Sequence, residues 1–193
     1  MRGQGWIAGL LAIGIAMGAG AQTGSDTGAT WVKPGAPIAA GKAPGVKVQL
    51  LGRSGGQRSY AVIFAPGDEV LSGLTDFARQ YHVTAAHFTA IGAVSAAKLA
   101  WFSPEQKAYK VTPIPGQAEV VAMIGDIAIY KGQPVVHTHM VVGLADGSTR
   151  GGHVIEATVS PTLEVMVTVE PKGLQKRLDE ATGLTLIDPV TAP

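Results

Sequence analysis

The chain contains no cysteine. Disulfides and cysteine nucleophiles are therefore excluded. An oxidising compartment remains compatible, but the core must hold the fold unaided. Charge is also scarce. Charged residues make up 15% of the sequence, with 15 Lys+Arg against 14 Asp+Glu. Nucleic-acid binding relies heavily on cationic contacts to phosphate, and a balance this close to neutral does not advertise it. No Gly-x-Ser-x-Gly context presents a serine nucleophile. Gly92, Gly125, Gly151 and Gly152 lie in no strand-to-helix glycine-rich turn, so a phosphate-binding loop is not indicated. No internal repeat is visible.

What is present is apolar sequence. Hydrophobic residues account for 46% of 193 positions, enough for one domain with a sizeable core. The N-terminus reads as a secretory signal over residues 1–21. Arg2 supplies the positive end, Trp6 to Met17 the apolar run, and Ala19-Gly20-Ala21 a small-residue cleavage site. The run is short and interrupted by glycine, so it predicts export and no stable membrane insertion. Cleavage after Ala21 removes Arg2 and leaves 14 Lys+Arg against 14 Asp+Glu, from the 15 and 14 of the whole chain. Residues 22–44 are rich in Gly, Ala, Thr and Pro without apolar periodicity and read as a flexible linker.

From there the pattern alternates. Val46, Val48 and Leu50 mark a first strand, and Ser59 to Ala65 a second. Asp68 is placed to cap a helix from about Glu69 to Tyr81, whose stripe is Val70, Leu71, Leu74, Phe77, Ala78 and Tyr81. Strands follow over Val83 to Ile91 and Ala93 to Phe102, joined or bent at Gly92. Further strands read over Ala108 to Ile114 and over Glu119 to Tyr130, the latter interrupted at Gly125. After Val154–Val159 and Leu163–Val169, the residues Leu174, Leu178 and Ala181 predict a short C-terminal helix. The expected class is α+β: a largely antiparallel sheet, one long helix after the second strand and a short C-terminal helix.

Three of the five histidines fall between Gln133 and His153. Residues i and i+2 of a strand share a face, so His137 and His139 project together. Asp146-Gly147 is a hairpin-turn signal that brings His153 back beside them. A two-residue loop would set Met140 opposite His153 and put His153 on the wrong face. One extra residue in the turn, or a bulge at Gly151-Gly152, restores it. Three imidazoles with one position open form the ligand set of a zinc-type site. Ring nitrogens in such a set should lie roughly 3–4.5 Å apart.

Other candidates surround this stretch. Arg150 precedes Gly-Gly-His and offers a bidentate contact for an anionic ligand; a surface ion pair is the plain alternative. Glu119, Glu156 and Glu164 lie in strands, where a carboxylate orients a metal ligand, serves as a base, or simply faces solvent. His82 ends the first helix and reads as structural. His87 sits in a strand from which it could reach the site; a satisfied, partly buried histidine is the plainer reading.

Taken together, Phe88-Thr-Ala-Ile-Gly-Ala-Val-Ser95, Glu119-Val-Val-Ala-Met-Ile-Gly125, Lys131-Gly-Gln-Pro-Val-Val-His-Thr-His139, Asp146-Gly-Ser-Thr-Arg-Gly-Gly-His153 and Pro161-Thr-Leu-Glu-Val165 resemble the plants-and-prokaryotes-conserved (PPC) domain. Plant AT-hook nuclear proteins carry this domain beside their DNA-binding hooks. The resemblance spans Val46 to Val169 and implies a PPC-like domain over residues 45–193, assembled as a homotrimer. It also implies, from the histidine-bearing prokaryotic branch, that His137, His139 and His153 hold zinc or another divalent metal. The chain has no Arg-Gly-Arg-Pro hook, and its signal peptide departs from cytoplasmic members. The expected function is an exported metal-binding module that holds or senses a small molecule. DNA binding, which the family label suggests, and a metal-dependent enzyme of unread substrate are the alternatives.

Overall fold

The computed structural model describes residues 30–35 and 41–189. The export signal read at 1–21 lies outside them. Nine strands and one helix follow in the order β1 (Thr30–Val32), β2 (Lys47–Ser54), β3 (Gln57–Phe64), α1 (Val70–Gln80), β4 (Ala85–Ser103), β5 (Ala108–Tyr130), β6 (Gln133–Gly143), β7 (Thr149–Val169), β8 (Gln175–Leu178) and β9 (Thr185–Asp188). The sheet is mostly antiparallel and runs β2-β3-β7-β4-β5-β8-β9. Strand β6 pairs with both β5 and β7, so β4, β5, β6 and β7 close into a ring of paired strands. β1, within the stretch read as a linker, pairs with β5 through Thr30 opposite Val111.

Helix α1 forms where the sequence stripe places it. Val70, Leu74, Phe77 and Ala78 are buried against strand residues including Val62, Phe64, Val154 and Val165. Burying one such large side chain is worth about 1.5–3 kcal/mol. The N-cap is Glu69, not Asp68. Its carboxylate accepts from the backbone N–H of Leu71 at 3.1 Å and of Ser72 at 2.7 Å. Asp68 instead turns back on the Pro66-Gly67 corner and accepts from the N–H groups of Ala65 and Gly45, each at 2.9 Å. A carboxylate occupied by its own turn cannot also cap the helix.

Two further expectations change. The C-terminal segment is the β8–β9 hairpin, with Gln175 opposite Asp188, rather than a helix. Leu178 is exposed while Lys176 is buried. Within the two strands Lys176 alone is buried, and the apolar Leu178, Leu186 and Ile187 stay exposed, so the apolar spacing that suggested a helix does not face the core. At Gly125 strand β5 runs on without interruption. A Cβ there would meet the Phe88 ring and the His137 carbonyl oxygen, each at 2.4 Å, so glycine permits close packing at this point rather than a break.

Candidate metal centre

Strand β6 places alternate residues on two faces. Thr138, Met140 and Val142 point inward and are buried, whereas His137, His139 and Val141 point outward. The β6–β7 turn then decides where His153 lands. Leu144 N–H donates to the Ser148 carbonyl at 2.8 Å, which leaves a three-residue loop, Ala145–Gly147. Gly147 closes it with φ +79° and donates to the Leu144 carbonyl at 2.9 Å. This is a type I turn followed by a left-handed glycine, the usual three-residue hairpin. The extra loop residue sets His139 directly opposite His153 and Met140 opposite Gly152. Pairing between β6 and β7 is regular through Gly151 and Gly152, so the turn, not a bulge at the glycines, corrects the register.

The three imidazoles gather on the outer face of the ring. Ring centroids lie 5.2 Å (His137–His139), 5.3 Å (His137–His153) and 5.5 Å (His139–His153) apart. Each offers one nitrogen, and the three nitrogens lie within 4.8 Å of one another. This ceiling is slightly wider than the upper end of the roughly 3–4.5 Å expected. His153 packs flat on Tyr109, with centroids 4.7 Å apart. Its Nδ1 is buried with no hydrogen-bond partner. Burial, with lesser help from the neighbouring His137, His139 and Lys176, pulls the His153 pKa down to about 4. Burial, then His137, lowers His139 as well. Both rings are therefore held neutral near pH 7, the form that ligates a cation. A buried, orphaned nitrogen costs free energy unless a partner arrives. The donor set and this nitrogen together fit a divalent metal.

A carboxylate that sequence reading did not single out completes the arrangement. Asp126 sits opposite His137 on β5. Its Oδ2 lies 3.2 Å from His137 Nδ1, and its Oδ1 lies 2.9 Å from Lys176 Nζ on β8. Burial raises the Asp126 pKa, but hydrogen bonds from His137 and Lys176 outweigh it and the carboxyl lies below its ordinary value. An ionised carboxylate only accepts, so His137 donates from Nδ1 and its Nε2 is left free. The sequence did hold a signal for this pair. The turn Lys131-Gly132 has φ of +49° and +76°, a two-residue hairpin loop. Counting back from Tyr130 opposite Gln133 puts Asp126 opposite His137.

The remaining candidates separate. Arg150 is three residues from His153, an odd spacing, so it lies on the other face of β7 and does not join the histidines. Its Nη1 donates to the Thr149 carbonyl at 2.8 Å. Glu156 pairs with Lys98 at 2.7 Å, and Glu119 and Glu164 are exposed. His82 follows the helix cap with φ +51°. His87 is exposed rather than partly buried, and its Nδ1 lies 3.2 Å from Glu170. It lines a groove of about 400 Å³ with Phe88, Thr89, Ile124, Asp126, His137 and His139.

Fold and site define a PPC-type sheet domain that carries a histidine cluster on its outer face. The model of the Plants and Prokaryotes Conserved (PCC) domain matches residues 52–170, and the chain belongs to that family. Solved structures agree. A plant- and prokaryote-conserved protein from Pyrococcus horikoshii is 26% identical with a TM-score of 0.65, covering 76% of this chain and 97% of that one. A metal-containing protein from Archaeoglobus fulgidus is 26% identical with a TM-score of 0.63, covering 74% and 96%. A candidate DNA-binding protein from Ralstonia eutropha is 29% identical with a TM-score of 0.63, covering 67% and 90%. No curated protein sequence matches the chain.

Proposed function

We propose that this protein is an exported PPC-domain homotrimer that binds a divalent metal, zinc first among them, through His137, His139 and His153, and uses the site to hold or sense a small molecule. The observation that carries the reading is the gathering of three imidazole nitrogens within 4.8 Å, one ring having a buried nitrogen without a partner. The metal-containing relative from Archaeoglobus fulgidus supports it. Three protein ligands leave a position at which a bound cation would polarise an exogenous ligand. The groove beside His137 and His139 gives such a ligand room. Asp126 holds His137 in its ligating tautomer, and Tyr109 shields His153.

Assembly is supported by the outer face itself. Ile124 and Ile91 are 60% and 62% exposed and Met166 is 47% exposed, on the same side of the sheet as the histidines. Apolar surface of this kind is covered in oligomers. Export rests on the sequence of residues 1–21. Among the described residues no helix is long and apolar enough to cross a membrane.

DNA binding is the second reading, favoured by the description of the Ralstonia eutropha relative. A formal charge of +1, falling to zero once Arg2 is removed, opposes it. The test is elemental analysis of protein purified from its native compartment without added metal. About one equivalent of a divalent ion per chain is expected. Metal-free protein that takes up none on titration overturns the reading, and sequence-selective duplex binding at physiological salt would favour DNA instead.

A further inference from the structure

The matched family domain ends at residue 170, yet a side chain beyond it reaches the site. Lys176 lies in the β8–β9 hairpin, its side chain 2% exposed, with Nζ 2.9 Å from Asp126 Oδ1. The other oxygen of the same carboxylate faces His137 Nδ1 at 3.2 Å. We infer that Lys176 is a positioning residue for the metal centre, fixing Asp126 so that Asp126 fixes His137. This deepens, and rests on, the three-histidine reading.

The geometry carries the argument. A carboxylate held at one oxygen swings about its Cβ–Cγ bond. Held at both, it presents a fixed acceptor and sets the ring plane of the histidine it touches. Asp126 Oδ1 is buried and takes no hydrogen bond among the described residues, so the Lys176 ion pair at 2.9 Å is what holds that oxygen. The hairpin that delivers Lys176 joins the domain through the parallel pairing of Gln175 with Ile129 and the backbone bonds beside it. Ile129 N–H donates to the Leu174 carbonyl at 2.9 Å, and Leu174 N–H donates to the Thr84 carbonyl at 3.1 Å. The Lys176 contact adds a side-chain anchor to that pairing, so hairpin docking and metal affinity are reciprocally linked.

A cation near a metal site has a second, opposite effect, because it repels the incoming ion. The two effects are separable. Loss of positioning requires Asp126, whereas repulsion acts with or without it. The full chain is therefore titrated with Zn²⁺, and with Co²⁺ as a spectroscopic reporter, in five forms: wild type, Lys176→Met, Lys176→Arg, Asp126→Asn and the Lys176→Met/Asp126→Asn double variant. Asp126→Asn should weaken Zn²⁺ binding by about 10–100-fold, the usual cost of losing an outer partner. Lys176→Met should weaken it by about tenfold in the wild-type background and cause no further loss beside Asp126→Asn. Lys176→Arg should restore most of the affinity. Zn²⁺ should also slow amide exchange across residues 174–178 in the wild type and not in Asp126→Asn.

The outcomes are distinct. Wild type that binds neither ion removes the three-histidine reading and this inference with it. Wild type that binds, with Lys176→Met binding equally well or more tightly, overturns this inference alone. A further loss of affinity on adding Lys176→Met to Asp126→Asn would also overturn it. If Lys176→Met fails to fold, wild-type exchange at residues 174–178 that ignores Zn²⁺ serves as the contradicting result.

Discussion

The two faces of strand β6 differ in what they ask of their side chains. Inward, Thr138, Met140 and Val142 are buried, and Thr138 hands its hydroxyl to the Ile124 carbonyl at 2.8 Å. Outward, one residue away along the chain, His137 and His139 meet His153. The inner face is satisfied by the domain itself. The outer face contains a buried nitrogen and exposed apolar side chains that the single chain does not satisfy. Stability is concentrated on one side of the strand and unfinished chemistry on the other, and a period of two residues keeps them apart.

Substitutions along β6 should break this comparison cleanly or not at all. The largest effect is expected inside. Met140→Ala should cost about 2–5 kcal/mol of stability, read by chemical denaturation of the metal-free protein, while the folded fraction keeps its metal affinity. His139→Ala should do the reverse. Because His139 is exposed, stability should change by no more than about 0.5 kcal/mol. Metal affinity should fall by more than about a hundredfold, beyond the loss expected for an outer partner. A destabilised His139→Ala protein, or one that keeps its metal, would show that the faces are not separate.

Acid gives a smaller, graded effect on the same site. His153 has a folded pKa of about 4 against an ordinary 6.5. A buried neutral histidine binds its proton in the unfolded chain first. The metal-free protein should therefore lose stability as pH falls from about 6.5 to about 4, with the full contribution present above 6.5. Metal binding should weaken over the same fall, but with fewer than three protons displaced per ion near pH 5–6, since His153 is already unprotonated there. Calorimetric titration in buffers of different ionisation heat measures that number. Smallest of all is the control. His82→Ala, at the end of α1 and away from the cluster, should leave metal affinity unchanged within error.

Much of this is legible in the sequence. Period-two alternation gave the strands, and a 3.6-residue stripe gave α1. The pairing of His137 with His139 follows from spacing alone. The placement of His153 was not decided by spacing, because Ala-Asp-Gly-Ser accommodates a two- or a three-residue loop and each reverses the other's register. Asp126 was readable in principle from the Lys131-Gly132 turn, but only by carrying the register four pairs on from the Tyr130–Gln133 pair. Lys176 was hidden. Leu174 and Leu178 suggested a helix, and nothing local says that a lysine between them is buried by pairing with Asp126 in a distant strand. Likewise, Arg150 looked close to His153 in sequence while the pleat put it on the opposite face. Sequence conveys periodicity well and conveys poorly which distant partner makes a buried charge tolerable.

The most direct test of the central claim is anomalous diffraction at the zinc edge from crystals grown with one equivalent of Zn²⁺. The account predicts a single strong peak per chain, bounded by nitrogens of His137, His139 and His153. A peak elsewhere, or none near these three rings, would contradict it.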